Sequence, residues 1–264
     1  MTFVDMCMLG TGTSQGVPAI GCTCPTCLSQ DPRDHRLRPS AMVTVGGVHL
    51  LIDVSSDFRQ QALSHSITRI DALLLTHHHF DHIGGFDDLR QFNYLQRGPV
   101  HIYGLEASLT ELRATFRYAF GAATQEGGGV PHAELHPIEP GVPFDVQGVT
   151  VLPLLVMHGA MQVLAFRVGP VAYVTDTNFI PDETITALAG SDILVLDALR
   201  HESHPTHYSL SESIAVALRI RARQTWFTHI AHNIMHARDS ALLGPDMAFA
   251  YDGLRLRSQM EQPA

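Results

Sequence analysis

The chain has 264 residues, of which 45% are hydrophobic and 16% charged, and this composition favours a folded globular protein with a substantial core. Its formal net charge of −9 and its lack of any run of five or more Lys and Arg residues oppose binding to large nucleic acids. No apolar run approaches the roughly 18 residues needed to cross a bilayer, and the N-terminus lacks the basic segment of a signal peptide. We therefore expect a cytoplasmic protein that has no membrane partner.

Short runs rich in Val, Ile, Leu and aromatic residues alternate with helical patterns along the chain. They predict strands at 3–9, 41–45, 48–53, 71–76, 100–103, 149–156, 162–168, 171–175, 192–197, 224–230 and 248–256. Helices are predicted at 56–65, 84–96, 106–118, 181–189 and 209–222. The last helix begins with the capping-box residues Ser209 and Glu212. Because a strict alternation of strand and helix is absent, we expect an α/β (α+β) fold of two mixed sheets with helices outside them.

Two glycine-rich stretches interrupt this pattern. Residues 121–131, GAATQEGGGVP, are expected to form a mobile loop. The stretch GTGTSQG at 10–16 follows a strand but leads into cysteines instead of a helix, so it does not predict dinucleotide binding.

Three of the four cysteines lie together in the stretch GCTCPTC at residues 21–27. Cys22, Cys24 and Cys27 have the spacing C-x-C-x2-C, which supplies three of the four ligands of a tetrahedral zinc ion. In a reducing compartment such a cluster favours metal binding over disulfides. The fourth cysteine, Cys7, lies in the apolar run FVDMCML and is predicted to be a buried, inert thiol.

A second group of metal-ligand residues follows the apolar strand at 71–76. His77 and His79 alternate at the strand end and can face one ion, and Asp81 and His82 lie on the turn beyond and can face a second. Imidazole and carboxylate suit Zn, Mn or Fe. The alternative is a run of surface histidines, which four ligand-type residues in this order after a buried strand disfavour. His78 alternates to the other side and is not counted as a ligand.

This segment, T-H-H-H-F-D-H at residues 76–82, resembles the T-H-x-H-x-D-H signature of the metallo-β-lactamase superfamily. The resemblance implies a four-layer αββα sandwich of two mixed β-sheets, formed by residues 1–264 as a single domain, with a dinuclear metal site at one edge between the sheets. It also implies three further ligands at the ends of β-runs, namely His158, Asp176 and His229. One ion would bind His77, His79 and His158, the other would bind Asp81, His82 and His229, and Asp176 would bridge both.

Asp53 also ends a β-run, VHLLID. In this superfamily an acid at that place supports the ligand histidines by accepting a hydrogen bond from the other ring nitrogen. A simple aspartate that begins a turn is an equally good interpretation.

Three features distinguish branches of the superfamily. The aspartate Asp176, where lactamases place a cysteine nearby, disfavours a lactamase. His207, just before the helix at 209–222, is similar to the extra catalytic histidine of the tRNase Z and cyclic phosphodiesterase branch; His204 is the second candidate for this role, and His201 is expected to be solvated. The cysteine cluster is similar to that of the PhnP-type phosphodiesterases, which implies a structural zinc in an N-terminal loop at 9–28 with the ligands Cys22, Cys24, Cys27 and His232.

The resemblance implies a dinuclear metal-dependent hydrolase of small phosphodiesters, such as a cyclic ribose phosphate or a small nucleotide. A hydroxide bridging two divalent ions, Zn or Mn, would attack phosphorus, with Asp81 orienting it and His207 assisting the departing oxygen. A tRNase Z-like nuclease is an alternative that the net charge disfavours, and a glyoxalase II-like thioesterase and a non-catalytic zinc-binding scaffold are two others. A homodimer is compatible with the resemblance, since relatives are often dimers.

Overall fold

The structure is a computed structural model that describes residues 1–121 and 129–260. Its strands are β1 (Phe3–Gly10), β2 (Ser40–Val45), β3 (Val48–Ile52), β4 (Ala72–Leu74), β5 (Val100–Gly104), β6 (Ala133–Pro137), β7 (Phe144–Val146), β8 (Val149–His158), β9 (Met161–Val168), β10 (Val171–Val174), β11 (Ile193–Asp197), β12 (Gln224–Thr228), β13 (Met247–Phe249) and β14 (Arg255–Gln259). Its α-helices are α1 (Phe58–Ser64), α2 (Phe80–Ile83), α3 (Arg90–Gln96), α4 (Glu106–Thr115), α5 (Arg117–Phe120), α6 (Asp182–Leu188), α7 (Leu210–Ile220) and α8 (His236–Asp239).

The strands of the described ranges form two seven-stranded sheets, ordered β14-β1-β2-β3-β4-β5-β6 and β13-β12-β11-β10-β9-β8-β7. In the first sheet β14 to β3 pair antiparallel and β3 to β6 pair parallel. In the second sheet β7 to β10 pair antiparallel and β10 to β13 pair parallel. The prediction of two mixed sheets is confirmed, and in each sheet the neighbouring parallel strands end at a common edge.

Three clusters of buried side chains hold the layers together. The cluster between the sheets takes residues from both, among them Met6 and Val43 from the first sheet and Phe166 and Tyr173 from the second. Another cluster packs α6 and α7 on the outer face of the second sheet, and a third packs α1, α3 and α4 on the outer face of the first. The structure therefore has the predicted αββα layers.

The alternation of side chains along β1 shows how the sequence sets these layers. Met6 and Met8 belong to the cluster between the sheets, whereas Cys7 packs beside the outer cluster. The prediction that Cys7 is buried is wrong. This residue is half-buried, with Sγ 3.9 Å from Nδ1 of His65, because the outer face of β1 borders a surface cavity there.

The prediction of one strand at 248–256 is also wrong, because the chain turns there and contributes to both sheets. β13 pairs with β12 in the second sheet, and β14 pairs with β1 in the first. The carboxylate of Asp252 in the turn accepts hydrogen bonds from the N–H groups of Thr11 (2.9 Å) and Leu37 (2.6 Å). Gly253 follows with a φ of 86°, a conformation that glycine adopts freely.

Some elements have no predicted counterpart, and some predictions stay untested. The strands β6 and β7 and the helices α2 and α8 were not predicted, since they have three to five residues each and little apolar periodicity. Residues 122–128 of the predicted loop lie outside the described residues. None of the described helices is long and apolar enough to cross a membrane. That residues 1–264 form a single domain stays a prediction.

Helix α7 begins with the predicted capping box. The side chain of Ser209 accepts a hydrogen bond from the N–H of Glu212, and the carboxylate of Glu212 accepts one from the N–H of Ser209 at 2.8 Å. These two bonds satisfy backbone donors that the first helical turn leaves free. They also fix how the segment before the helix, which contains His207, enters it.

We expect Ser209→Ala to lower the free energy of unfolding by about 1 kcal/mol, because the N–H of Glu212 loses its acceptor. Urea unfolding followed by circular dichroism measures the change. Ser209→Thr keeps the hydroxyl and is the control, with a smaller expected loss. Equal losses in the two variants would show that the cap does not stabilise α7.

Candidate metal centre

The predicted ligands lie where strands of the two sheets end. His77 comes three residues after β4 of the first sheet. In the second sheet His158 is the last residue of β8, Asp176 comes two residues after β10, and His229 directly follows β12. Residues far apart in sequence therefore meet at one edge of the sandwich.

The backbone is left-handed at three of these strand ends. The φ angles are 56° at Asp53, 52° at Asp176 and 59° at His229. Residues other than glycine rarely adopt this region, and it costs of order 1 kcal/mol or more at each position. These three side chains belong to one chain of contacts. Asp53 and Asp176 both lie within 3.3 Å of His82, and His229 lies 3.3 Å from Asp176.

Two groups of donor atoms form at this edge, and they share Asp176. Within each group the donor atoms all lie within 4.8 Å of one another. The first group consists of His77, His79, His158 and Asp176, and the second consists of Asp81, His82, Asp176 and His229. The structure thus brings together the two sets of side chains that the sequence assigns to two ions.

The separations between donor atoms suit bound cations. Nε2 of His82 lies 3.3 Å from an oxygen of Asp81 and 3.3 Å from one of Asp176, and Nε2 of His229 lies 3.6 and 3.3 Å from the same two carboxylates. Nε2 of His77 lies 3.8 Å from the other oxygen of Asp176. Ligands about 2 Å from a tetrahedral ion stand roughly 3.3 Å apart, so these atoms can share a cation without large movement.

Three ring nitrogens indicate that a cation belongs here. The Nε2 atoms of His77, His82 and His229 are buried and have no hydrogen-bond partner among the described residues. Such orphaned polar atoms are costly in a protein interior unless a ligand satisfies them. Imidazole and carboxylate donors suit Zn, Mn and Fe, so the residues fit the divalent ions that the fold implies.

Hydrogen bonds from behind orient the ligand rings. The buried carboxylate of Asp53 accepts a bond from Nδ1 of His82 at 2.7 Å, and Thr76 donates to the same carboxylate through its N–H (2.9 Å) and its hydroxyl (2.8 Å). Nδ1 of His158 donates to the carbonyl of Thr206 at 2.8 Å. The bonds of His82 and His158 occupy Nδ1 of each ring and leave Nε2 for a metal.

Burial and the carboxylates shift the pKa values of this site in opposite directions. Burial lowers the pKa of His77 well below its usual range. Burial acts to lower the pKa of His229, but Asp176, Asp81 and Asp197 together outweigh burial and raise that pKa to about 9. Against burial, His229 and His82 hold the pKa of Asp176 well below normal. The carboxylates are therefore ionised and attract positive charge.

His207 lies beside the two groups of donors. Its Nδ1 donates to Asp197 at 3.0 Å, and its Nε2 lies 4.0 Å from Asp176. The ring stacks on that of His229, with centroids 4.8 Å apart and an interplanar angle of 14°. His204 lies on the far side of His207, with the two ring centroids 5.2 Å apart. Of the two candidates, His207 is therefore the one in direct contact with the ligand rings.

Asp197 is the residue of this site that sequence reasoning missed. It is fully buried at the end of β11 and accepts hydrogen bonds from His207 and from the N–H of Thr177 (3.0 Å). Its other oxygen lies 3.8 Å from Nδ1 of His229. An aspartate at the end of the apolar run ILVLD is the same signal that singled out Asp53 and could have identified it.

Two histidines near the site lie outside both groups. His78 has Nδ1 3.4 Å from the hydroxyl of Ser108. The side chain of His201 is 35% exposed, and its Nε2 lies 3.3 Å from the carboxylate of Asp239 in α8.

The cysteine cluster forms a separate group of donors with His232. The Sγ atoms of Cys22, Cys24 and Cys27 lie 3.2, 3.6 and 3.4 Å from Nδ1 of His232. Sulfur and nitrogen ligands of a tetrahedral zinc stand roughly 3.6 Å apart, so the set fits a closed zinc site. Because His232 comes three residues after His229, this group joins the cysteine loop (residues 9–28) to the segment that carries a metal ligand.

A cleft of about 250 Å³ opens between the cysteine loop and the segment 199–207. Gln15 lines it from the loop, and Arg200, His204 and His207 line it from the opposite wall. His232 also borders it. The cleft therefore runs from the cysteine group to the histidine beside the dinuclear ligand set.

The chain matches a family model and several solved structures. A model described as a beta-lactamase superfamily domain matches residues 49–230. The crystal structure of a diphosphatase from the PhnP family is 40% identical with a TM-score of 0.92, covering 98% of this chain and 99% of that one. Zn²⁺-bound PqqB from Methylobacterium extorquens shares the fold with a TM-score of 0.76 and 21% identity, over 96% of this chain and 99% of its own.

Two curated relatives extend the comparison. A ribonuclease Z of a Mycobacterium species is 28% identical over 215 residues, covering 75% of this chain and 70% of that protein. The octanoyltransferase of Porphyromonas gingivalis is 37% identical over 250 residues, 94% of this chain, but the chain spans only 50% of that longer protein. With the signature at 76–82 and the αββα layers, these matches show that the chain belongs to the metallo-β-lactamase superfamily and, within it, to the PhnP family.

Proposed function

We propose that the chain is a dinuclear metal-dependent phosphodiesterase that hydrolyses a small phosphodiester, such as a cyclic ribose phosphate or a small nucleotide. The observation that carries the proposal is the pair of donor groups that share Asp176, with His207 stacked beside them. Membership of the PhnP family supports the same reaction class, since one relative is a diphosphatase.

Different residues of the chain would bind the metal ions and orient the attacking water. One divalent ion, Zn or Mn, would be held by His77, His79 and His158, a second by Asp81, His82 and His229, and both by Asp176. Bound there, such ions supply a water whose pKa falls to about 7 and neutralise charge on phosphoryl oxygens. Asp81 is buried and would also orient the attacking water.

His207 is placed to act as general acid. Its Nδ1 is committed to Asp197 at 3.0 Å, so Nε2 is the nitrogen available to the substrate. The Asp197 carboxylate fixes the orientation of the ring. Nε2 would then donate a proton to the alkoxide that leaves phosphorus. His204, further along the same cleft, is the second candidate for this transfer.

The cleft favours a small substrate. Its volume of about 250 Å³ is below the usual range for drug-sized ligands, roughly 300–1,000 Å³, and Arg200 supplies positive charge to a phosphoryl group. A cysteine loop held by Zn at Cys22, Cys24, Cys27 and His232 would form one wall. With a net charge of −9, the chain has no general attraction for a long nucleic acid.

A diphosphatase is the second candidate function, because of the 40% identical PhnP-family structure. Attack at phosphorus would be the same, and the leaving group would be a phosphate instead of an alkoxide. A phosphate leaves with less need for a proton, so His207 would matter less for such a substrate.

A substrate panel tests the proposed function. We expect the metal-loaded protein to hydrolyse cyclic ribose phosphates, 2′,3′-cyclic nucleotides or diphosphate diesters, and to leave precursor tRNA and S-lactoylglutathione unchanged. Chromatography of the products identifies the bond that breaks. Hydrolysis of the thioester alone would replace the proposal with a thioesterase, and no hydrolysis by protein with both donor groups filled would favour a non-catalytic scaffold.

We expect His207→Gln to lower kcat/KM by about 10²–10⁴-fold on a phosphodiester with an alkoxide leaving group, since proton donation is lost. The loss should be much smaller on bis(p-nitrophenyl) phosphate, whose leaving group needs no proton. His204→Gln, in the same cleft, is the matched control, and metal content is measured for both variants. Equal losses of kcat/KM on both substrates would rule out general-acid action by His207. A large loss on the alkoxide substrate alone in His204→Gln would assign the general-acid role to His204.

We expect His232→Ala to lose one zinc equivalent while the ions bound near Asp176 remain, because the cysteine group with His232 shares no side chain with the groups around Asp176. Elemental analysis by mass spectrometry counts the ions, and limited proteolysis reports the loosening of residues 9–28. His77→Ala is the reciprocal control, expected to keep the zinc of the cysteine loop. Loss of all ions from His232→Ala would show that the two centres are not independent.

A further inference from the structure

We propose that His101, Glu134 and His136 form an additional site for a divalent transition-metal ion, at the edge of the first sheet. None of these residues belongs to the donor groups around Asp176 or His232. His101 lies on β5, and Glu134 and His136 lie on β6, the edge strand. The inference does not depend on the proposed phosphodiesterase activity.

Strand pairing brings the three side chains together. β5 and β6 are parallel, with His101 opposite Glu134 and Tyr103 opposite His136. Glu134 and His136 are two residues apart on one strand, so both side chains project from the same face of the sheet. The neighbour His101 reaches the same face from the adjacent strand, and its Nδ1 approaches both of them.

The distances match those of metal ligands. Nδ1 of His101 lies 3.0 Å from Nε2 of His136 and 3.4 Å from a carboxylate oxygen of Glu134. All three donor atoms lie within 4.8 Å of one another. Nitrogen and oxygen ligands of a tetrahedral zinc stand roughly 3.3 Å apart, so an ion can enter with small changes in side-chain rotamers.

Aromatic packing holds one ligand in place. The ring of His136 stacks on Tyr103, with centroids 4.7 Å apart and an interplanar angle of 19°. Tyr103 stacks in turn on Phe144 of β7, at 4.7 Å and 18°. This stack joins the edges of both sheets and restricts rotation of the His136 ring, which lowers the entropy lost when the ring binds an ion.

Two imidazoles and one carboxylate select the class of ion. This set suits Zn²⁺, Ni²⁺ and Cu²⁺ better than Mg²⁺ or Ca²⁺, which require mainly oxygen ligands. The side chains of His101 and Glu134 are 39% and 51% exposed, so water would complete the coordination. We therefore expect weaker binding than at the buried group around Asp176.

A bound ion would link the edge strand to its neighbour. β6 has only five residues and pairs on one side, with β5. An ion held by side chains of both strands would oppose separation of this edge. Because the unfolded chain does not hold the three ligands together, excess ion would raise the melting temperature by mass action.

The test measures zinc binding to the full-length protein. After its other sites are filled, we expect equilibrium dialysis against Zn²⁺ to add one equivalent to the wild type and none to His101→Gln or His136→Gln. We also expect excess Zn²⁺ to raise the melting temperature of the wild type more than that of either variant. His132→Gln removes an exposed histidine that lies outside the cluster and should behave as the wild type does.

Both variants should keep the ions of the cysteine group and of the two groups that share Asp176, which shows that they fold. Equal zinc stoichiometry in the wild type and in both variants would overturn the proposal. The 3.0 Å contact between His101 and His136 would then be an ordinary hydrogen bond between two imidazoles. A loss of the additional equivalent in His132→Gln as well would show non-specific binding to surface histidines.

Discussion

The shared carboxylate of Asp176 is the constraint on which the site depends. It is buried, ionised and within 3.3–3.8 Å of Nε2 of His77, His82 and His229. A charge of this kind is unstable in a protein interior unless opposite charge reaches it. Divalent ions bound through the Nε2 atoms of the surrounding histidines would supply that charge. Asp176 has a left-handed backbone, and its one carboxylate belongs to both donor groups.

That position in turn requires both sheets to end at the same edge. His77 comes from the first sheet, and His158, Asp176 and His229 come from the second. The packed cluster between the sheets sets their spacing, and a backbone hydrogen bond of 3.0 Å from Leu164 to the carbonyl of Thr76 ties them together beside the ligands. Interiors this dense move little, so the donor groups are preorganised by the fold.

The convergence of the predicted ligands could be anticipated from the sequence, because His77, His158 and His229 each end or closely follow an apolar run, and these runs end at one edge of the sandwich. The support for His207 could not be predicted, because Asp197 acts through its contacts with His207 and His229, and only the fold brings these residues together. The strand predicted at 248–256 was wrong for the same reason. Nothing within that run shows that Asp252 binds backbone N–H groups more than 200 residues earlier. Periodicity reports burial of a face and is silent about partners that are distant in sequence.

Contacts with distant parts of the chain anchor the cysteine loop and thereby set the shape of the cleft. Near one end, Arg36 is buried and donates to Thr11 (2.8 Å) and to the carbonyl of Ala250 (2.6 Å). Near the other end, His232 approaches all three cysteines. Neither anchor touches the donor groups around Asp176, yet the loop forms one wall of the cleft that reaches His207. The donor groups around Asp176 therefore depend on the strand ends, whereas the shape of the cleft depends on how the loop is anchored.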